Sequence, residues 1–166
     1  MYSDVDMPTM RVWFDTEFEE APDGRIALIS IGMVREDGKT FYADAAEYNG
    51  ALAPDWLKKN VIPCRFGPSL LKCDMRLGIL EFLSDVIPEF WAEWGGYDWV
   101  LLCQIFGGLF SFPDHWPVYF NEVRQATRDT NIHVPFVGTK HNALADAQHS
   151  KKAHLTFESK VVVRHG

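Results

Sequence analysis

An apolar run near the start of the chain, Val12-Trp13-Phe14, ends on two acidic residues separated by one position, Asp15 and Glu17. β-Branched and aromatic residues in so short a run predict a strand over 10–15. Pro22-Asp23-Gly24 is a turn signal, because Pro fixes φ and Gly accepts positive φ. A second apolar, β-branched run predicts a strand over 26–34, with Gly32 inside it. Asp37-Gly38 suits a tight hairpin, and a third strand is expected over 40–45. Three strands joined this way form an antiparallel meander.

After Asn49 the spacing changes. Pro54 before Asp55-Trp56-Leu57 predicts a short helix, and 63–69 reads as a loop. Apolar positions at Leu70, Leu71, Met75, Leu77, Ile79, Leu80, Phe82 and Leu83 have helical spacing, so a long amphipathic helix is expected over 69–88. A short apolar strand follows at 90–94, broken by Gly95-Gly96. Residues 97–106 read as a buried helix, 107–117 as a Gly-, Phe- and Pro-rich loop, 119–129 as a polar amphipathic helix, and 132–136 as a short strand. The final helix is expected over 142–156, with a strand at 160–164. This order predicts an α/β domain with a mixed central sheet, the meander plus short parallel strands, flanked by helices. The organisation expected is a flexible lead-in over 1–9, one domain over 10–156 and a C-terminal tail over 157–166.

The length of 166 residues fits one domain with a sizeable core. No apolar stretch is long enough to cross a bilayer, and the acidic, polar start does not read as a signal peptide. Three cysteines, without a CxxC pair, argue against a disulfide framework or a zinc ribbon. A cytoplasmic location is therefore expected. The net charge of −7 disfavours broad, non-specific binding to duplex nucleic acid. It is compatible with an enzyme whose acidic residues hold cations while it works on a strand end.

Candidate chemistry begins with Asp15 and Glu17. Side chains alternate along a strand, so both carboxylates share a face. Like charges there repel unless solvent or a hard cation lies between them. Asp98 follows Trp94-Gly95-Gly96-Tyr97 at a strand-to-helix junction, where Asp either caps the helix or faces a ligand brought close by the glycines. His141 stands at the start of the last helix and Asp146 in its first turns. Ala143, Ala145 and Ala147 would let that helix pack closely on a sheet, bringing Asp146 beside the strand of Asp15 and Glu17. Each pair alone also has an ordinary structural explanation.

Taken together, D-x-E on the first strand, D in mid-chain and H-x-A-x-x-D opening the last helix resemble the DEDDh 3′-5′ exonucleases of the ribonuclease H-like superfamily. The resemblance is greatest to the RNase AS-type 3′-5′ exoribonucleases. It is carried by Phe14-Asp15-Thr16-Glu17-Phe18, Leu28-Ile29-Ser30-Ile31-Gly32, Trp94-Gly95-Gly96-Tyr97-Asp98, Leu102-Cys103-Gln104 and the His141 to Asp146 run. The position four before Asp146 is Asn142, where the tyrosine variant of the superfamily has Tyr; the position five before it is His141, as in the histidine variant. The resemblance implies a ribonuclease H-like fold and hydrolysis of RNA from its 3′ end. It implies two Mg²⁺ or Mn²⁺ ions held by Asp15, Glu17, Asp98 and Asp146, with His141 taking a proton from the attacking water. It also implies a single-stranded RNA 3′ end as partner, with a preference for adenylate, and a homodimer. Substrate contacts are expected at the backbone of Thr16 and Glu17 and at the Phe18 ring. Lys58, Lys59, Arg65, Lys72 and Arg76 form a locally basic stretch that could follow the phosphates. The competing expectations are a DNA-directed proofreading or repair exonuclease, a catalytically silent nucleic-acid-binding protein, and a calcium-stabilised structural domain.

Overall fold

A computed structural model describes residues 7–128 and 134–164, and the side chains of 162–164 lie outside the description. Six strands form one sheet in the order β4-β3-β2-β1-β5-β6. Strands β1 (Thr9–Glu20), β2 (Ile26–Arg35) and β3 (Thr40–Ala45) are the expected meander, antiparallel throughout. Strand β5 (Ile87–Ala92) lies parallel to β1, and two-residue strands β4 (Ser69–Leu70) and β6 (Asn121–Glu122) add parallel edges to β3 and β5. The helices are α1 (Asp55–Asn60), α2 (Lys72–Phe82), α3 (Gly96–Phe106), α4 (Val123–Ala126) and α5 (Ala143–Arg164). This is a mixed α/β architecture of the ribonuclease H-like kind.

Alternation along β1 sorts its side chains between two layers. Val12, Phe14 and Phe18 join the main core with residues of α2 and α3, while Trp13 packs on the other face with Ala147 and Leu155 of α5. Full burial of rings such as Phe14 and Phe90 contributes about 1.5–3 kcal/mol each. The same alternation turns Asp15 and Glu17 toward α5 and Thr16 toward α3.

Several expected boundaries are corrected. β1 extends to Glu20, so the two carboxylates lie within a strand rather than at its end. The helix expected over 69–88 begins at Lys72 and stops at Phe82, because Ser69 and Leu70 pair with β3 and Ile87 already pairs with β1. In place of a helix over 119–129 there is β6 followed by one turn, α4; Glu122 both ends the strand and caps the turn by accepting from the Arg124 N–H. The strand expected over 132–136 falls partly outside the described residues, and 134–136 are not in a strand. Residues 160–164, expected as a strand, continue α5. The lead-in expected over 1–9 lies mostly outside the described residues, and Thr9 belongs to β1.

Two contacts fasten the far part of α5. Arg11 bonds both oxygens of Glu158 at 2.9 Å, and His154, buried, accepts the indole N–H of Trp13 at Nδ1 (3.2 Å) with Trp91 against its other side. Accepting at Nδ1 requires the neutral ring, and burial lowers the His154 pKa against the opposing pull of Glu158. A depressed imidazole pKa stabilises the fold above about 6.5, the unfolded value, and that contribution is lost as pH falls. Urea titrations of wild type and His154→Gln should therefore show a wild-type advantage that narrows between pH 7.5 and pH 5.

Candidate active site

Asp15, Glu17 and Asp146 each offer a carboxylate oxygen, and the three oxygens lie within 4.8 Å of one another. What brings them together begins at Gly32, which pairs directly with Asp15 across the β1–β2 ladder. A Cβ built on Gly32 would stand 2.2 Å from the Leu144 backbone N and 2.4 Å from the Ala143 carbonyl carbon. Only the missing side chain lets the first turn of α5 rest on the strand. Ala143 and Ala147 are fully buried, as expected of small residues at a close helix–sheet contact. The N-cap of α5 is Asn142 rather than His141: its side-chain oxygen accepts the Ala145 N–H (3.1 Å) and its amide donates to the Cys64 carbonyl (2.8 Å). His141, relieved of capping, takes a left-handed backbone (φ 62°) and sits edge-on to Trp56 of α1 at 5.2 Å.

Asp98 approaches from the opposite layer. It is buried in the first turn of α3, and its Oδ1 accepts both the backbone N–H (2.8 Å) and the hydroxyl of Thr16. Asp98 is thus beside the other carboxylates without being one of the close trio. Its presence raises the pKa of both Asp15 and Glu17. A ribose contact through the Thr16 amide, one of the expected substrate contacts, has to compete with Asp98 for that N–H. Phe18 is half-buried against the core and edge-on to Tyr97 at 5.4 Å.

Asp15 and Glu17 have more carboxylates than cations around them. A cleft of about 310 Å³ is lined by Asp15, Glu17, Glu93 and Asp146, with two imidazoles, His141 and His149, and, among the described residues, no lysine or arginine. Burial first, then the charges of Asp98, Glu17, Asp146 and Glu93, pushes Asp15 well above the usual carboxylate range. Burial and the neighbouring Asp146 and Asp98 push Glu17 up to about 8. Asp146 is raised by burial, against the opposing charge of His141 and His149. Closely grouped carboxylates that resist ionisation are a set of hard oxygen donors able to hold a divalent cation. Oxygen ligands about 2.0–2.6 Å from such an ion are at most about 5 Å apart, which the 4.8 Å grouping satisfies.

A 3′-5′ exoribonuclease of Mycobacterium tuberculosis, in its CDC 1551 (Oshkosh) and H37Rv strains, is 38% identical to this chain over 150 residues. The match covers 84% of this chain and 88% of the relative. The chain belongs to this family of 3′-5′ exoribonucleases. No family model matches it. Among the described residues, no helix is long and apolar enough to cross a membrane.

Within this exoribonuclease the structure adds residues to which the sequence alone gave no place in the site. Glu93, Trp94, His149 and Ser150 line the cleft, and the Ser150 hydroxyl donates to Glu93 (3.1 Å). Glu93 falls inside the strand expected over 90–94, and only the observed end of β5 at Ala92 places it just past the strand next to β1. His149 and Ser150 needed the helical phase of α5 relative to the sheet. Of the two glycines after Trp94, Gly95 serves packing, since a Cβ there would meet Ala92 at 2.4 Å and Phe120 at 2.8 Å. Gly96 has open space at the corresponding point. Of the basic stretch, Arg65 is engaged with Asp44 (3.3 Å), and Arg76 lies over the Phe106 ring at 5.6 Å.

Proposed function

We propose that this exoribonuclease works as a DEDDh enzyme, with Asp15, Glu17, Asp98 and Asp146 holding two Mg²⁺ or Mn²⁺ ions and His141 as general base. The observation that carries the reading is the convergence of Asp15, Glu17 and Asp146 in a cleft whose lining contains His141 and, among the described residues, no lysine or arginine. When bound, such ions neutralise the phosphate charge and make an attacking water easier to deprotonate. The chain's own residues supply the rest. The imidazole of His141 takes the proton of the water that attacks the phosphorus. The bond from phosphorus to the 3′ oxygen of the preceding nucleotide breaks, and that oxygen leaves with a proton from solvent. The products are a nucleoside 5′-monophosphate and a strand one residue shorter. Thr16, Glu17 and Phe18, next to the carboxylates on β1, are placed to hold the terminal nucleotide.

The resemblance to RNase AS-type enzymes extends the proposal to adenylate-rich RNA and to a homodimer. The described cysteines, Cys64, Cys73 and Cys103, are all free thiols, which fits work in a reducing compartment such as the cytoplasm. A DNA-directed activity is the alternative, tested by matched RNA and DNA oligonucleotides. The deciding experiment digests 5′-labelled homopolymer RNA with Mg²⁺, Mn²⁺ or EDTA. A ladder shortening from the 3′ end, fastest for poly(A) and abolished by EDTA, is the expected result. Internal fragments, or full activity in EDTA, would overturn it.

His141→Ala should lower kcat by about 10²–10⁴-fold, the usual contribution of a general base. Divalent-ion affinity measured by calorimetry should stay within a few-fold, since His141 is outside the carboxylate trio.

A further inference from the structure

Trp94 is the residue at the cleft whose placement the fold alone does not explain. It lies just past β5 with φ of 57°, a left-handed backbone unusual for a bulky side chain. Its indole is 72% exposed, so the unusual backbone brings little burial in return. Single exposed aromatics are common on protein surfaces, but this one is held in place. Its own N–H and that of Gly95 donate to the two oxygens of Glu122, each at 3.0 Å. The Arg124 guanidinium stands 5.4 Å over the indole ring and 3.7 Å from Glu93. A carboxylate therefore fixes the backbone and a guanidinium covers part of the ring, and the exposed indole lines the same cleft as Asp15, Glu17, Asp146 and His141.

We infer that Trp94 is the base-stacking platform of the cleft, taking a nucleobase near the 3′ end of RNA on its open surface and favouring purines over pyrimidines. The inference rests on the reading of this cleft as the site of RNA hydrolysis. A fixed, flat, exposed π-surface fits a nucleobase, because every base has a π-face and stacking needs no particular hydrogen-bond pattern. The overlap area is larger for a two-ring base, so discrimination follows ring size. The cation against the indole suits a strand whose phosphates are negative. Nothing in this arrangement touches a reacting atom, so Trp94 acts on binding and selection rather than on the chemical step.

The test compares wild type with Trp94→Gly and Trp94→Phe. Glycine accepts φ of 57° without strain, so the variant separates the ring from the backbone it occupies. Three quantities are measured: Tm, kcat and KM on oligo(A) and oligo(U), and Kd for 5′-fluorescein oligo(A) by anisotropy. In Trp94→Gly, KM and Kd for oligo(A) should rise about 5- to 100-fold, the range of one base–aromatic stack. Values of kcat should stay within about threefold, Tm should hold or rise, and the preference for oligo(A) over oligo(U) should shrink. Trp94→Phe should recover most of the oligo(A) affinity. If wild type degrades RNA and Trp94→Gly keeps KM and Kd within twofold, the platform is refuted while the exoribonuclease reading stands. A fall in kcat or Tm with KM unchanged refutes it too, by showing a structural role. If wild type binds oligo(A) through Trp94 without degrading it, the platform stands and the hydrolytic reading falls. Absence of binding to any of these strands refutes both.

Discussion

Asp15→Asn is expected to reduce RNA hydrolysis by on the order of 10³-fold or more, as loss of a central electrostatic group does. Asp15 has the carboxylates of Asp98, Glu17, Asp146 and Glu93 around it. The substitution keeps shape and hydrogen-bonding capacity but removes the charge. Two consequences separate this from damage to the fold. In EDTA the variant should melt at the same temperature as wild type or higher, because mutual repulsion in the cleft is relieved. On adding Mg²⁺ or Mn²⁺, wild type should gain stability by mass action and the variant should gain little. Thermal scans at several ion concentrations check both. A variant that keeps the wild-type ion response would remove Asp15 from the ligand set.

Gly32→Ala should be the most damaging single methyl in the protein. The added carbon has backbone atoms of Leu144 and Ala143 within 2.4 Å, and backbone cannot rotate away as a side-chain tip can. Either β2 bends or the start of α5 lifts. Overpacking of this kind costs about 1–3 kcal/mol, and more where backbone must move. Because Asp146 lies one turn along that helix, the same displacement separates it from Asp15 and Glu17. A misplacement of about 1 Å near the chemistry can cost on the order of 10²-fold in rate. Denaturant titration and single-turnover hydrolysis measure the two effects on one sample. Loss of stability with full activity would show that α5 relaxes without moving Asp146.

The meander was legible because its turns carry their own chemistry: Pro22-Asp23-Gly24 and Asp37-Gly38 fall where β1–β2 and β2–β3 turn. The shared face of Asp15 and Glu17 followed from strand period alone, and the approach of Asp146 from the small residues of α5. The two-residue strands β4 and β6 were not legible, since partners elsewhere in the chain define them. Residues 160–164 read as a strand because Val161, Val162 and Val163 are β-branched; the helix already running through Glu158 overrides that local preference. The position of Asp98 was legible, but its bonds to Thr16 were not, because they depend on which layer each residue faces. That Glu93 and Trp94 line the cleft was not legible, because the sequence offers no cue that the end of β5 opens beside Asp15.

The alternation of β1 also limits how this sequence can drift. An insertion or deletion before Thr9 leaves the alternation of the strand untouched. One between Trp13 and Glu17 would interchange inward and outward positions, putting Phe14 where an acidic group belongs and an acid where Phe14 fills the interior. Length changes in that stretch would abolish packing and catalysis together. A survey of viable indels should therefore leave a gap over those five positions and tolerate changes in the β1–β2 and β2–β3 hairpin loops.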